Sequence, residues 1–238
     1  LYHLIFIVKI KIIMKVCILG KGLTSLALAQ ALLNKGIRVD LFSDDKVKYY
    51  SRTQTLGISR ANIEYFNKNI INIDKFLWDI NKIEIFSQNL KNEKVIEFQN
   101  KNSRLFSIIR NQDLYNCLYS KIKKNKLFRL KKNYQNKNLK LEDYELIFNC
   151  DFNHKFTKKY LNKKIGKNYN SFAFITEIEH KKIANNTAIQ IFTRNGPLAF
   201  LPISEKKTSI VYSLNRSIDI DVVEEIKKHN FKYKISNF

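Results

Sequence analysis

Lys15-Val16-Cys17-Ile18-Leu19-Gly20-Lys21-Gly22-Leu23-Thr24-Ser25 is the stretch on which the fold of this 238-residue chain turns. Its first five residues form an apolar run of strand length without polar alternation, the pattern of a strand buried on both faces. Gly20 and Gly22 break the run. Leu26, Ala27, Ala29, Leu32 and Leu33 follow at helical spacing, and Gly36 is placed to cap that helix at its C-terminus. Arg38-Val39-Asp40-Leu41-Phe42 reads as a second strand. Strand, glycine turn, helix and strand within about thirty residues imply a right-handed crossover between parallel neighbours.

A strand that runs into glycines and a helix start offers backbone N–H groups and the positive helix end to a pyrophosphate. Gly20 permits the tight turn, and Gly22 lets phosphates approach the backbone. Ser25 holds the third position of the G-x-G-x-x-G pattern and is small enough for close helix–strand packing. Gly20, Gly22, Leu23, Thr24 and Ser25 are thus the expected cofactor-binding residues. The turn alone suits a flavin or a nicotinamide dinucleotide equally. Where an acidic residue commonly holds a ribose, at the end of the second strand, Ser43 stands instead. Asp44 follows it directly and is the candidate for that contact.

Around this unit the composition is globular, with 45% hydrophobic and 13% aromatic residues. The formal net charge of +22 is carried mostly by Lys scattered along the chain among Asn, Ile, Phe and Tyr. That spread reads as compositional drift rather than a clustered nucleic-acid surface, so no nucleic-acid partner is expected. It leaves a basic field suited to anionic lipid headgroups. Cys17, Cys117 and Cys150 are odd in number and far apart, which favours a reducing compartment over a disulfide framework. His3, His154, His180 and His229 show no metal-ligand spacing, and no metal is expected. Residues 1–13 are apolar but interrupted by Lys9 and Lys11, and too short to span a bilayer. They read as an upstream extension before a natural start at Met14.

Further along, Ser59 is placed to cap a short helix through Ile63 and Phe66. Ile83–Ser87, Lys94–Phe98 and Leu105–Ile109 alternate like strands of a half-exposed antiparallel sheet. Asn111 or Asp113 opens another helix, with Leu114, Cys117, Leu118 and Ile122 on one face. Lys131 to Lys140 reads as a loop or weak hairpin, and Glu145–Cys150 as a buried strand ending at Asp151. After about Asn168 the pattern changes to strands without helices: Ser171–Glu179, Ala188–Phe192, Leu198–Pro202 and Thr208–Leu214. Asp221 to Lys228 reads as a helix, and Tyr233-Lys234-Ile235 as the start of another element.

Several segments, in order, resemble the flavin-dependent aromatic hydroxylases that share the para-hydroxybenzoate hydroxylase fold, and among them the ubiquinone-biosynthesis hydroxylases. The most specific is Ile191-Phe192-Thr193-Arg194-Asn195-Gly196-Pro197-Leu198-Ala199-Phe200-Leu201-Pro202-Ile203-Ser204. It is similar to the family's F-T-x-x-G-P-L-A-x-L-P strand pair on the substrate side of the flavin. Arg52-Thr53-Gln54-Thr55-Leu56-Gly57-Ile58-Ser59 resembles the arginine-bearing segment after the second strand. Ile109-Arg110-Asn111-Gln112-Asp113-Leu114 resembles the arginine-plus-helix segment near the cofactor. Asp151 matches the family's alanine-aspartate-glycine strand end, with Phe152 in the glycine's place.

The resemblance implies an α/β fold: a Rossmann-like FAD-binding domain with a parallel sheet, plus an antiparallel substrate-domain sheet. It places the FAD-binding domain at 14–168, with the strands near 83–109 joining the substrate sheet at 169–215. Residues 216–238 form an incomplete C-terminal segment, since the family's later glycine-aspartate fingerprint does not follow. It implies FAD held by the glycine turn with Asp44, Arg52, Arg110 and Asp151, and substrate met by Gly196, Pro197, Phe200 and Pro202. The activity implied is hydroxylation of an aromatic, prenylated phenol in ubiquinone biosynthesis, with NAD(P)H or another donor reducing the flavin. The protein is then expected in the cytoplasm, peripheral to the inner face of the membrane or within a biosynthetic complex. Two other readings stand beside it. An NAD(P)-dependent Rossmann oxidoreductase predicts further strand–helix units after Phe42. A basic, non-enzymatic binding module predicts a clustered Lys/Arg face with a steep salt dependence.

Overall fold

A computed structural model of the chain describes residues 14–43, 53–90, 93–100, 104–132, 140–160, 166–215, 220–233 and 235. The chain opens with β1 (Lys15–Leu19), α1 (Leu23–Asn34) and β2 (Arg38–Ser43). It continues through β3 (Thr55–Ser59), α2 (Arg60–Asn69), β4 (Trp78–Ile80), β5 (Lys82–Ser87), β6 (Lys94–Gln99) and β7 (Phe106–Arg110). Next come α3 (Asn111–Lys123), β8 (Phe128–Lys132), β9 (Leu146–Asn149) and α4 (Lys155–Tyr160). The last elements are β10 (Ser171–Glu179), β11 (Thr187–Thr193), β12 (Gly196–Ser204), β13 (Lys207–Asn215) and α5 (Val222–Tyr233).

These elements divide into two compact units, Leu1–Tyr49 with Leu118–Asn162, and Tyr50–Cys117 with Lys163–Phe238. β3 to β7 thus lie in the second unit together with β10 to β13 and α5.

The first unit holds a parallel four-stranded sheet in the order β8-β2-β1-β9. β1 is central, which is why Val16, Cys17, Ile18 and Leu19 are all fully buried and the run shows no alternation. Alternation along the strands sends Cys17, Leu19 and Phe42 to one face, where Tyr144, Ile147 and Phe156 pack on them. The opposite face is left to α1, which buries Leu26, Ala29 and Leu33 against β1 and β2. Gly36, at φ +73°, ends α1 in the left-handed conformation, and the Ile37 N–H donates back to the Leu32 carbonyl at 3.1 Å. Asp40 sits inside β2, almost wholly buried, where the Tyr144 hydroxyl donates to its Oδ2 at 2.9 Å and Lys15 Nζ lies at 3.8 Å. Burial, then the Asp40 carboxylate, pushes the Cys17 thiol up to about 12.

The second unit contains a six-stranded sheet, β10-β13-β12-β11-β5-β6, and a three-stranded antiparallel sheet, β3-β7-β4. Within the larger sheet all pairings are antiparallel except β11 with β5. One face of it carries Ile189, Ile191, Leu198, Phe200, Ile210, Tyr212 and Leu214 against Ile226 of α5. A second cluster joins Ile80 and Ile108 of the small sheet with Ala188, Leu201 and Ile203 of the large one. The three strands expected between 83 and 109 thus separate: β5 and β6 pair in the large sheet, while β7 is the centre of the small one. At the β5–β6 hairpin, Lys82 and Lys94 both pair with Glu84 and Glu97. Burial alone would raise the Glu84 carboxyl, but bonds from Lys82 and Lys94 hold it below its usual value. α5 runs through Tyr233 as one helix, so Tyr233 continues it rather than opening a new element. No helix among the described residues is long and apolar enough to cross a membrane.

Candidate functional site

The turn after β1 is where the backbone departs from ordinary geometry. Gly20 has φ +100°, a region that L side chains rarely adopt, and its N–H donates to the Phe42 carbonyl at 2.8 Å. A Cβ there would stand 3.3 Å from the Asp151 Cβ and from the Cys150 carbonyl at the end of β9. Gly20, Cys150 and Asp151 therefore close a narrow seam at the C-terminal edge of the parallel sheet, where α/β proteins take their ligands. Gly22 is extended (φ −77°, ψ 178°) and starts α1 with no side-chain cap, and the first turn carries no acidic residue. The Leu26 N–H makes the first helical bond, to the Gly22 carbonyl. The N–H groups at the start of this helix are left for an outside acceptor.

Two buried hydroxyls lie on the same side of the sheet. Ser25 Oγ and Ser43 Oγ are fully buried, and neither has an aligned hydrogen-bond partner among the described residues. The neighbour of Ser25 is the Cys150 thiol: burial raises that thiol, and the Ser25 hydroxyl partly offsets the rise. The Asp151 carboxylate accepts from the Asn153 N–H at 3.0 Å and its carbonyl from the Thr157 hydroxyl at 3.0 Å, which fixes the turn after β9. Phe152 is exposed there. Leu23 is half-buried, and Thr24 is exposed at the helix start.

These features bear on whether a dinucleotide fits. The uncapped helix start and the turn that a Cβ would crowd match the pyrophosphate half of such a cofactor. At the end of β2 the fully buried Ser43 stands where a carboxylate commonly meets the ribose. Asp44 and Arg52 lie outside the described residues. One residue of the turn escaped the sequence reading. Lys21 sets its ammonium 4.3 Å from the centre of the Tyr119 ring. A cation between the two glycines, where a helix start favours anions, was the available signal.

The other expected residues lie in the second unit. Arg110 ends β7 and meets the Glu177 carboxylate of β10 at 3.4 Å. With Trp78, Phe76, Asp113, Ile203 and Lys207 it lines a cleft of about 380 Å³. The Trp78 ring is fixed by its indole N–H donating to the Asn185 backbone carbonyl at 2.6 Å. Asn185 in turn donates to the Ser204 and Lys207 carbonyls at 2.8 and 3.1 Å, which ties its loop to the β12–β13 hairpin. Gly196 opens β12 at φ +136°, and a Cβ there would stand 2.0 Å from the Ser213 carbonyl oxygen. Pro197 beside it is exposed, whereas Phe200 and Pro202 point the other way into the sheet's buried side. Phe200 is fully enclosed in the cluster beneath α5.

Among solved structures, p-nitrophenol 4-monooxygenase PnpA of Pseudomonas putida matches with a TM-score of 0.69 at 11% identity, over 94% of this chain and 63% of that one. An HpxO variant of Klebsiella pneumoniae complexed with FAD matches at 0.65 and 12%, over 92% of this chain and 62% of that one. This is the FAD-binding hydroxylase fold. PqsL of Pseudomonas aeruginosa shares the FAD-binding hydroxylase fold at a TM-score of 0.65 and 14% identity, over 90% of this chain. The chain spans 62% of the length of PqsL. No family model matches the chain, and no curated protein does. The strand–helix pair that follows β2, β3 with α2, does not extend the parallel sheet as a plain nicotinamide-binding domain would: β3 pairs antiparallel with β7 in another sheet.

Proposed function

We propose that this chain forms the FAD-binding and substrate-sheet part of a flavin-dependent monooxygenase that hydroxylates an aromatic ring. The observation that carries this reading is the Gly20 turn, crowded by Cys150 and Asp151 where a Cβ would stand and followed by an uncapped helix. Bound FAD supplies the redox chemistry, taking electrons from NAD(P)H or another donor and activating oxygen for an electron-rich ring. The chain's own part is to bind, orient and exclude water. Backbone N–H groups of Gly22, Leu23, Thr24 and Ser25 hold the pyrophosphate, while Ser43, Asp44 and Asp151 serve the adenosine side. Arg52 and Arg110 act as cofactor-facing cations. Gly196, Pro197, Phe200 and Pro202 shape the substrate sheet: Gly196 and Pro197 set its turn, and Phe200 and Pro202 set its packing.

The finer reading is a polyprenyl phenol of ubiquinone biosynthesis as substrate. The resemblance of Ile191–Ser204 to the ubiquinone-biosynthesis hydroxylases supports it, and a net charge of +22 suits a protein working beside anionic lipid. The test is a titration of the purified protein with FAD and NADPH separately, followed by incubation with both and a prenylphenol under oxygen. FAD binding with a product heavier by one oxygen atom is the expected result. Binding of NADPH without FAD would move the reading to a nicotinamide-dependent oxidoreductase.

A further inference from the structure

The turn ahead of α1 carries a cation at a helix end that favours anions. Lys21 sits between Gly20 and Gly22, just ahead of α1, and the first turn of α1 contains no carboxylate. A cation at a helix N-terminus faces the positive end of the helix dipole and is disfavoured there. No carboxylate among the described residues pairs with Lys21. Its ammonium instead rests on the Tyr119 ring of α3, 4.3 Å from the centroid and within the same compact unit. A cation over an aromatic face is attracted by the ring's quadrupole and loses much of its freedom to swing into solvent. The chain thus spends an aromatic side chain on holding an ammonium beside a helix end that repels it. An anion bound at the same helix end would be attracted both by the ammonium and by the helix N–H groups. Ser25 Oγ, one turn into α1, is likewise fully buried, with the Cys150 thiol as a polar neighbour.

We propose that Lys21, braced by Tyr119, is a specificity-determining contact for the pyrophosphate of the bound dinucleotide. The proposal rests on the cofactor reading above and adds a side-chain charge to what the backbone alone provides. Tyr119 acts only as a positioning residue. Because the ammonium is partly exposed, its contribution is screened by salt, unlike the neutral N–H donors of the helix start.

The test measures binding of FAD, ADP and adenosine to the wild-type chain and to Lys21→Met, Lys21→Arg and Tyr119→Leu, each at low and at physiological salt. Circular dichroism and thermal unfolding verify that each variant is folded. Lys21→Met should weaken FAD and ADP by about tenfold at low salt. It should also flatten their salt dependence and leave adenosine, which lacks the pyrophosphate, unchanged. Lys21→Arg should restore both affinity and salt dependence, and Tyr119→Leu should give an intermediate loss. Unchanged FAD and ADP binding in Lys21→Met, with an unchanged salt slope, overturns the proposal while the cofactor reading stands. Equal weakening of adenosine overturns it too, since the effect is then not on phosphate. A wild-type chain that binds neither FAD nor ADP overturns the cofactor reading and this contact with it.

Discussion

Three glycines occupy left-handed backbone, and their surroundings separate what each one does. Gly36 has open space where a Cβ would go, so Gly36→Ala meets only backbone strain, about 1–2 kcal/mol. Gly196 has the same backbone demand plus a Cβ position 2.0 Å from the Ser213 carbonyl oxygen. Gly196→Ala therefore has to push β12 from β13, and its urea midpoint should fall clearly below that of Gly36→Ala. Equal midpoints would show that the hairpin yields without cost. Gly20 lies between these cases, with contacts at 3.3 Å that a small shift relieves. Buried polar residues show the same dependence on neighbours. Asp40 is tolerated in mid-strand because the Tyr144 hydroxyl donates to it and Lys15 lies close, although its Oδ1 has no partner among the described residues. Burial, followed by that bond to Asp40, raises the Tyr144 hydroxyl above its ordinary value.

At the scale of elements, the parts legible in the sequence are those whose local pattern and tertiary setting agree. The unbroken apolar run of β1 announced a central parallel strand, and Ser59 does accept from the Asn62 N–H at 3.3 Å at the head of α2. β8 was not legible. Phe128-Arg129-Leu130-Lys131-Lys132 looks like the edge of a basic loop, and only pairing with β2 makes it a strand. β4, three residues long, is likewise created by its partner β7. For the site, the glycine turn was legible because it is built from one continuous segment. The closing contact from Cys150 and the Tyr119 brace were not, since both come from more than ninety residues away in sequence. Phe200 shows how a motif can mix two duties. Its neighbour Pro197 is exposed, but Phe200 itself fills the cluster beneath α5. Phe200→Ala should cost about 3–5 kcal/mol in stability. Denaturation read beside substrate affinity will tell packing from contact, because a direct ligand contact would weaken binding in variants that remain folded.

Over the whole molecule, two histidines give stability a shared dependence on pH. His154 lies in the first unit and His229 in the second, and burial is the main cause that lowers both below the ordinary 6.5. Nearby carboxylates, Asp151 for one and Glu225 for the other, oppose the shift without reversing it. In the folded chain both are neutral at pH values where the unfolded chain already takes up protons. Their contribution is complete above 6.5 and is lost as pH falls through the lowered folded values. Urea midpoints should therefore drop as the pH is lowered from neutral into the mildly acidic range. Glu84 and Glu97, held below the usual 4.5 by Lys82 and Lys94, act only in more acidic solution. Replacing His154 and His229 together with Gln should remove most of the mildly acidic slope, and retention of the full slope would assign it to other groups.

The strand order β8-β2-β1-β9 also carries a consequence for biosynthesis. β1 and β2 leave the ribosome first and can pair at once, but the strands that flank them begin only at Phe128 and Leu146. Until then the nascent pair presents two open, apolar edges while the strands of another unit are being made. Slow translation or a stall in that interval exposes these apolar strands to their neighbours. A holdase that covers the β1–β2 pair should raise the soluble yield of this protein more than any change made to its later strands.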